Sequence, residues 1–203
     1  PTRTNPAACA QKKMRWGYSK ETFIRPVRWF ILMLGRKIPD TQFFCIKNNN
    51  ISYGNRTQNN KKILINSAHL YSKVLYKKGC VIPNYKERRS LIKTQVKKIV
   101  LFLNAKLIIN SQLLNEVTGI TEFPKSIVGT FNQKYLDLPK EVLITSIEKN
   151  QKFFPLIHKK NKKIMPFFIS VINSSNLSTN IQKIIQGNER VINPRLSDAN
   201  FFF

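Results

Sequence analysis

Acidic residues are scarce in this chain: ten Asp and Glu stand against 35 Lys and Arg, a formal net charge of +25. The close acidic pairs are not in a metal-binding spacing. The two histidines, His69 and His158, are isolated from each other, and neither has an obvious Cys or Ser partner in sequence. Cys9, Cys45 and Cys80 lie far apart without a Cys-x-x-Cys pair, which argues against a disulfide framework and against a structural metal. Three glycine signatures are also missing: the Gly-x-x-x-x-Gly-Lys-Ser/Thr loop, Gly-x-Gly-x-x-Gly and the Gly-x-Ser-x-Gly elbow. The longest unbroken apolar run, Trp29 to Leu34, falls far short of the ~20 residues that span a bilayer. No charged-apolar-small signal opens the chain, so no membrane partner is expected and a cytoplasmic or organelle-interior location is the default.

What is present suffices for a core. Apolar residues make up 42% of the 203 and aromatics 11%, which argues against disorder throughout. The basic excess has two readings. A charge of this size attracts polyanions, nucleic acid foremost. Lys, however, outnumbers Arg by more than two to one, and Lys, Ile and Asn are abundant, as an AT-rich genome would produce. Arg is the better residue for bidentate phosphate recognition. Part of the charge is therefore assigned to codon drift, and the remainder is compatible with RNA.

Local patterns predict a mixed α+β chain of short strands interleaved with helices. Residues 1–13 differ in composition and read as a non-native or disordered lead-in. FIRPVRWFILML, Phe23 to Leu34, reads as a buried strand with Pro26 at its edge, and TQFFCI from Thr41 as a second strand. A tight hairpin is expected at Tyr53-Gly54-Asn55, a short strand at Ile63 to Ile65, and a helix capped by Ser67 that ends before Gly79. Asn84 to Asn104 is the longest helix candidate, with Ile92, Val96, Ile99, Val100 and Leu103 on one face. Lys86, Arg89, Lys93 and Lys97 form an adjoining stripe that either tracks phosphates or is a solvated face. SQLLNEV reads as a short helix, SIVGTF, KFFPLI and KIMPFFISVI as strands, and Pro139 as the first turn of a helix. Ser178 is expected to cap a helix carrying Ile181, Ile184 and Ile185 and closed by Gly187. On residues alone the chain reads as a basic α+β RNA-binding module without a catalytic site.

Four ordered strings go further: MRWG at Met14 with FIRPVRW at Phe23, LLNEVTGITEFPKSIVGTF from Leu113, LPKEVLITSIEKNQKFFPL from Leu138, and GNERVINPRLSDANFFF from Gly187. Together they resemble the beta subunit of bacterial-type glycyl-tRNA synthetase, from about Met14 onward. The resemblance implies an alpha-subunit partner that holds the active site and uses ATP with magnesium, tRNA(Gly) as the RNA, and an α2β2 assembly. It implies no cofactor bound by this chain and no catalytic residue in it. It also implies an α+β domain over 14–194 similar to the editing-type domain of the phenylalanyl-tRNA synthetase beta subunit. A truncated helical domain would then begin at 195–203. In the loop YGNRTQNN the family pattern is kept at Gly54 and Arg56 but departs at Asn55 and Thr57, which weakens any contact assigned to those two. The rival to this reading is a stand-alone RNA-binding module with no role in aminoacylation.

The matched strings also nominate RNA contacts on physical grounds. In a strand, Arg25 and Arg28 point to opposite faces unless Pro26 bends the chain; beside Phe23 and Trp29 they suit either base stacking or an edge ion pair. Arg56 and Lys152 complete the set with Arg195, which pairs with Asp198 or with a phosphate. Asn150 and Gln151 read as backbone caps. Pro194 is expected to end one element, and Ser197 or Asp198 to cap the next helix, whose buried face would be Phe201 to Phe203. On that view the three terminal phenylalanines mark a cut through a longer protein.

Overall fold

The computed structural model describes residues 13–18, 20–59, 61–107, 110–173 and 181–202. Ser178, Cys9 and nearly all of the lead-in lie outside them. The backbone forms two compact units, one ending at Gly79 and one starting at Cys80. No boundary was expected there from composition.

The first unit is built from short antiparallel ladders and aromatic contacts. β1 (Met14–Arg15) pairs with β2 (Thr22–Phe23), β3 (Gln42–Phe43) with β4 (Ile46–Lys47), and β5 (Ile51–Tyr53) with β6 (Lys62–Leu64). TQFFCI is thus a hairpin and not one strand: Phe44 and Cys45, both with positive φ (50° and 60°), form its two-residue turn. The hairpin expected at Tyr53-Gly54-Asn55 is instead a longer loop joining β5 to β6.

The largest correction concerns Phe23 to Leu34. Beyond Phe23 this stretch is not a strand, and none of its residues is buried. Pro26 offers no N–H to a ladder. The backbone of Leu32 is instead satisfied by a side chain: Asn48 Oδ1 accepts from the Leu32 N–H at 2.8 Å, and Asn48 Nδ2 donates to the Leu32 carbonyl at 2.9 Å and to that of Pro39 at 2.8 Å. The aromatic density that suggested a strand serves ring contacts: Phe23–Phe44 at 5.4 Å, Phe30–Phe43 at 5.9 Å and Trp29–Tyr53 at 4.7 Å between centroids.

After β6 the chain coils through a 3₁₀ turn (Ala68–Leu70), α1 (Tyr71–Val74) and a π turn (Leu75–Gly79). Ser67 sits at the predicted cap position, but its hydroxyl bonds the Gly35 carbonyl and His69 Nδ1, not the helix N–H groups.

The second unit is a sheet covered on both faces. α2 (Tyr85–Phe102) starts where Asn84 accepts from the N–H groups of Lys86 and Glu87. β7 (Ala105–Lys106) follows, then α3 (Ser111–Ile120), capped in the same way by Asn110. β8 (Pro124–Thr130) leads through a 3₁₀ turn to α4 (Lys140–Ile144), which continues as a π turn to Asn150. β9 (Phe154–His158), β10 (Ile164–Asn173) and α5 (Ile181–Phe202) complete the unit. The strands form one antiparallel sheet in the order β7-β9-β10-β8.

Strand alternation supplies two cores. Phe154, Leu156, Met165 and Ile169 pack with Ile92 and Val96 of α2 and with Leu113, Leu114 and Val117 of α3. Phe168 and Ile164 face the other way, against Leu143, Ile147, Phe153, Ile192 and Leu196. Gly129 stands opposite Phe168 in the ladder, and a Cβ there would lie 2.3 Å from Phe168 Cζ. The Phe168 ring, stacked on Phe153 at 4.7 Å, occupies the space that a side chain would need.

α5 corrects three expectations at once. It is not closed by Gly187, is not ended by Pro194, and is not restarted by a Ser197 or Asp198 cap; it crosses the expected boundary at Arg195 unbroken. A proline inside a helix costs about 3 kcal/mol. Ile192 and Leu196, fully buried on either side of Pro194, contribute about 1.5–3 kcal/mol each. Pro194 faces solvent, so the carbonyl it leaves without a partner is accessible to water. Burial therefore outweighs the local stop signals. Phe201 and Phe202 are exposed and meet edge to face at 5.4 Å.

Candidate nucleic-acid interface

The nominated cations divide between the two units. Arg25, Arg28 and Arg56 belong to the first, and Lys86, Arg89, Lys93, Lys97, Lys152 and Arg195 to the second.

On α2, burial of Ile92 and Val96 turns Lys86, Lys93 and Lys97 outward, and all three are exposed. Arg89 leaves this stripe: its Nε donates to Asn115 Oδ1 on α3 at 2.9 Å. Its neighbour Arg88 is more firmly held, with a terminal guanidinium nitrogen donating to the Ile82 and Pro83 carbonyls at 2.6 and 2.9 Å. These two arginines brace helices, and the free part of the stripe is made of lysines.

Lys152 is also engaged. It is the left-handed residue (φ 58°) that turns the chain from the π turn into β9, and its Nζ lies 2.5 Å from Glu116 Oε2 on α3. The Lys152 hydrogen bond, together with its charge, holds the Glu116 carboxyl below its ordinary range. The turn closes through the backbone, the N–H groups of Lys152 and Phe153 donating to the carbonyls of Glu148 and Ile147. Arg195 is exposed on α5, and among the described residues no ion pair joins it to Asp198.

In the first unit Arg25 and Arg28 are both exposed on irregular backbone, so the opposite-face rule for strands does not separate them. Arg56 is displayed by a fixed loop. Asn55, buried, accepts from the Thr57 N–H at 3.1 Å and from the Thr57 hydroxyl at 2.8 Å, while its own N–H donates to the Gly79 carbonyl at 2.7 Å. A Cβ on Gly54 would meet the Asn59 carbonyl oxygen at 2.2 Å and Gly79 Cα at 2.9 Å. Asn55 and Thr57, discounted in the sequence, lock the loop that presents Arg56.

One cationic cluster escaped nomination. The β9–β10 turn carries Lys159, Lys160, Lys162 and Lys163, all exposed, and β7 brings Lys106 opposite Ile157 on the neighbouring ladder. Lys159 Nζ donates to Asn104 Oδ1 at 2.8 Å. The signal was the string HKKNKK itself, read as a polar loop.

Exposed lysines and arginines on rigid elements attract anions in general, and among the described residues no group of three or more His, Cys, Asp and Glu is placed to hold a metal ion. Among the described residues no helix is long and apolar enough to cross a membrane.

Residues 7–203 match the family described as glycyl-tRNA synthetase beta subunit, a match that starts within the compositional lead-in. Curated relatives agree. The chain is 38% identical over 192 residues to the glycine–tRNA ligase beta subunit of Hahella chejuensis and 42% identical to that of Coxiella burnetii strain Dugway 5J108-111. It is 38% identical to that of Acinetobacter baumannii strain AYE. Each alignment covers 95% of this chain and 27% of the relative, so the chain spans about a quarter of the length of these proteins.

Proposed function

Because the chain belongs to the glycyl-tRNA synthetase beta subunit family, we propose that it serves glycyl-tRNA synthesis by binding and positioning tRNA(Gly) and by supporting assembly with an alpha subunit. The observation that carries this reading is the family match over residues 7–203. The exposed lysines of α2 and of the β9–β10 turn support it, since a run of cations on rigid elements suits a phosphate backbone. On this reading the alpha subunit uses ATP and magnesium to activate glycine, the assembly is α2β2 in the cytoplasm, and no residue of this chain makes or breaks a bond. The α+β region over 14–194 is then the counterpart of the editing-type domain, used here for RNA contact.

The test is binding of this chain to tRNA(Gly) across a salt series, with an alpha subunit present or absent. Affinity should fall steeply with salt, and the alpha subunit should be retained by the tagged chain. Salt-dependent binding indifferent to tRNA identity, with no alpha subunit retained, would favour the stand-alone RNA-binding module instead.

A further inference from the structure

The first unit contains an aromatic cleft that the cationic surface does not explain. It has a volume of about 370 Å³ and is lined by Trp29, Phe30, Ile31, Met33, Ala68 and Tyr71. That lies in the size range of small-ligand pockets, about 300–1,000 Å³. Trp29 and Tyr71 retain 38% and 36% of their surface in solvent, so aromatic area is left uncovered.

Its two walls are tied together. The Gly35 carbonyl accepts from the Ala68 N–H at 2.8 Å and from the Ser67 hydroxyl at 3.2 Å. Gly35 (φ 61°) and Arg36 form the tip of a two-residue turn closed by paired hydrogen bonds between Leu34 and Lys37, each 3.0 Å. The clamp from Asn48 to Leu32 fixes the other wall. Cations adjoin it in the chain: Arg28 directly before Trp29, then Arg36 and Lys37 on the turn, all exposed. The sequence up to Gly79 contains only two acidic residues, Glu21 and Asp40. An aromatic cleft whose neighbours in the chain are exposed cations matches an apolar ring attached to a phosphate chain.

We propose that this cleft takes one unpaired RNA base, stacked against Trp29 and Tyr71, with the adjoining phosphates held by Arg28 and Arg36. The inference rests on the tRNA reading above and names a base-binding site within it. Burial pushes the Tyr71 phenol above its ordinary value, so it stands as a hydrogen-bond donor for a base edge. A fully paired duplex presents no such base.

The chain has two tryptophans, Trp16 and Trp29, so a Trp16→Phe background makes Trp29 the reporter. Its fluorescence is followed on adding a single-stranded RNA oligonucleotide, a paired RNA of the same length, or inorganic polyphosphate, which has the charge without bases. Only the single strand should quench Trp29. Tyr71→Leu should weaken single-strand binding about five- to 150-fold, the range of one base–aromatic stack, and leave polyphosphate binding unchanged. The exposed Arg36→Gln should weaken both, with the same melting temperature as its parent. Equal quenching by polyphosphate would overturn the proposal, as would RNA binding with Trp29 silent. A Tyr71→Leu loss confined to alpha-subunit retention would assign the cleft to a protein partner and overturn it too. Absence of any RNA binding would instead sink the parent reading.

Discussion

Glu189 of α5 holds the end of β8 through Thr130: its Oε1 accepts from both the Thr130 N–H and the Thr130 hydroxyl, each at 2.8 Å. One helical turn later, Asn193 Oδ1 accepts from the Asn132 N–H at 3.1 Å, and one residue earlier Asn188 donates to Ser170 at 3.2 Å. The string NERVIN is therefore the seam between helix and sheet, with Ile192 buried beneath it.

Removing the Glu189 acceptor leaves the Thr130 N–H and hydroxyl without their partner. Glu189→Ala should cost about 0.5–1.5 kcal/mol of stability, since Thr130 is exposed and water replaces the lost acceptor, with Glu189→Gln costing less because its amide oxygen still accepts. Urea denaturation midpoints of the two variants check this. Equal losses would show that charge, and not the acceptor geometry, holds the seam.

Gly129→Ala should destabilise by about 1–3 kcal/mol through overpacking against the Phe168 ring. Phe168→Leu in the same chain should recover part of that loss by vacating the ring's position, a non-additive result that a double-mutant cycle detects. Strict additivity would contradict the contact.

Asn48→Ala should release the segment before Pro39, since one side chain bonds the backbone at both Leu32 and Pro39. Hydrogen exchange at the Leu32 amide should then rise toward that of an open loop. Exchange at Ile92, in the second unit, should not change.

The Glu116–Lys152 pair predicts a pH effect of defined sign. The folded-state pKa of Glu116 is lowered, so the contribution of the pair is present above the ordinary glutamate pKa and is lost as pH falls through the folded value. Lys152→Met should move the Glu116 titration, followed by NMR, upward toward the ordinary range. An unchanged midpoint would show that Lys152 is not its partner in solution.

How much of this was legible depended on the range of the interactions. The helix expected over Asn84 to Asn104 is present as α2 because its cap and its apolar face are local patterns. The β9 and β10 strands were readable for the same reason. The segment after Phe23 was not, because its hydrogen-bond partner Asn48 is sixteen residues from Leu32 and belongs to another hairpin. Nor was the course of α5 through Pro194: the stop signals are local, while the burial that overrides them comes from the sheet. Among the candidate contacts, Lys152 looked free because Glu116 is distant in sequence, and Arg89 because Asn115 is. The exposed positions of Lys86, Lys93 and Lys97 followed from helix periodicity alone.

The central claim, that this region positions tRNA for an active site on another subunit, is tested most directly by separating the two half-reactions. A full-length beta chain of this family lacking the matched region is combined with its alpha subunit. Glycine-dependent ATP–pyrophosphate exchange and glycylation of tRNA(Gly) are then measured side by side. The account predicts that exchange persists while glycylation collapses, with restoration when this chain is grafted in place of the missing region. Glycylation at the undeleted rate would contradict it.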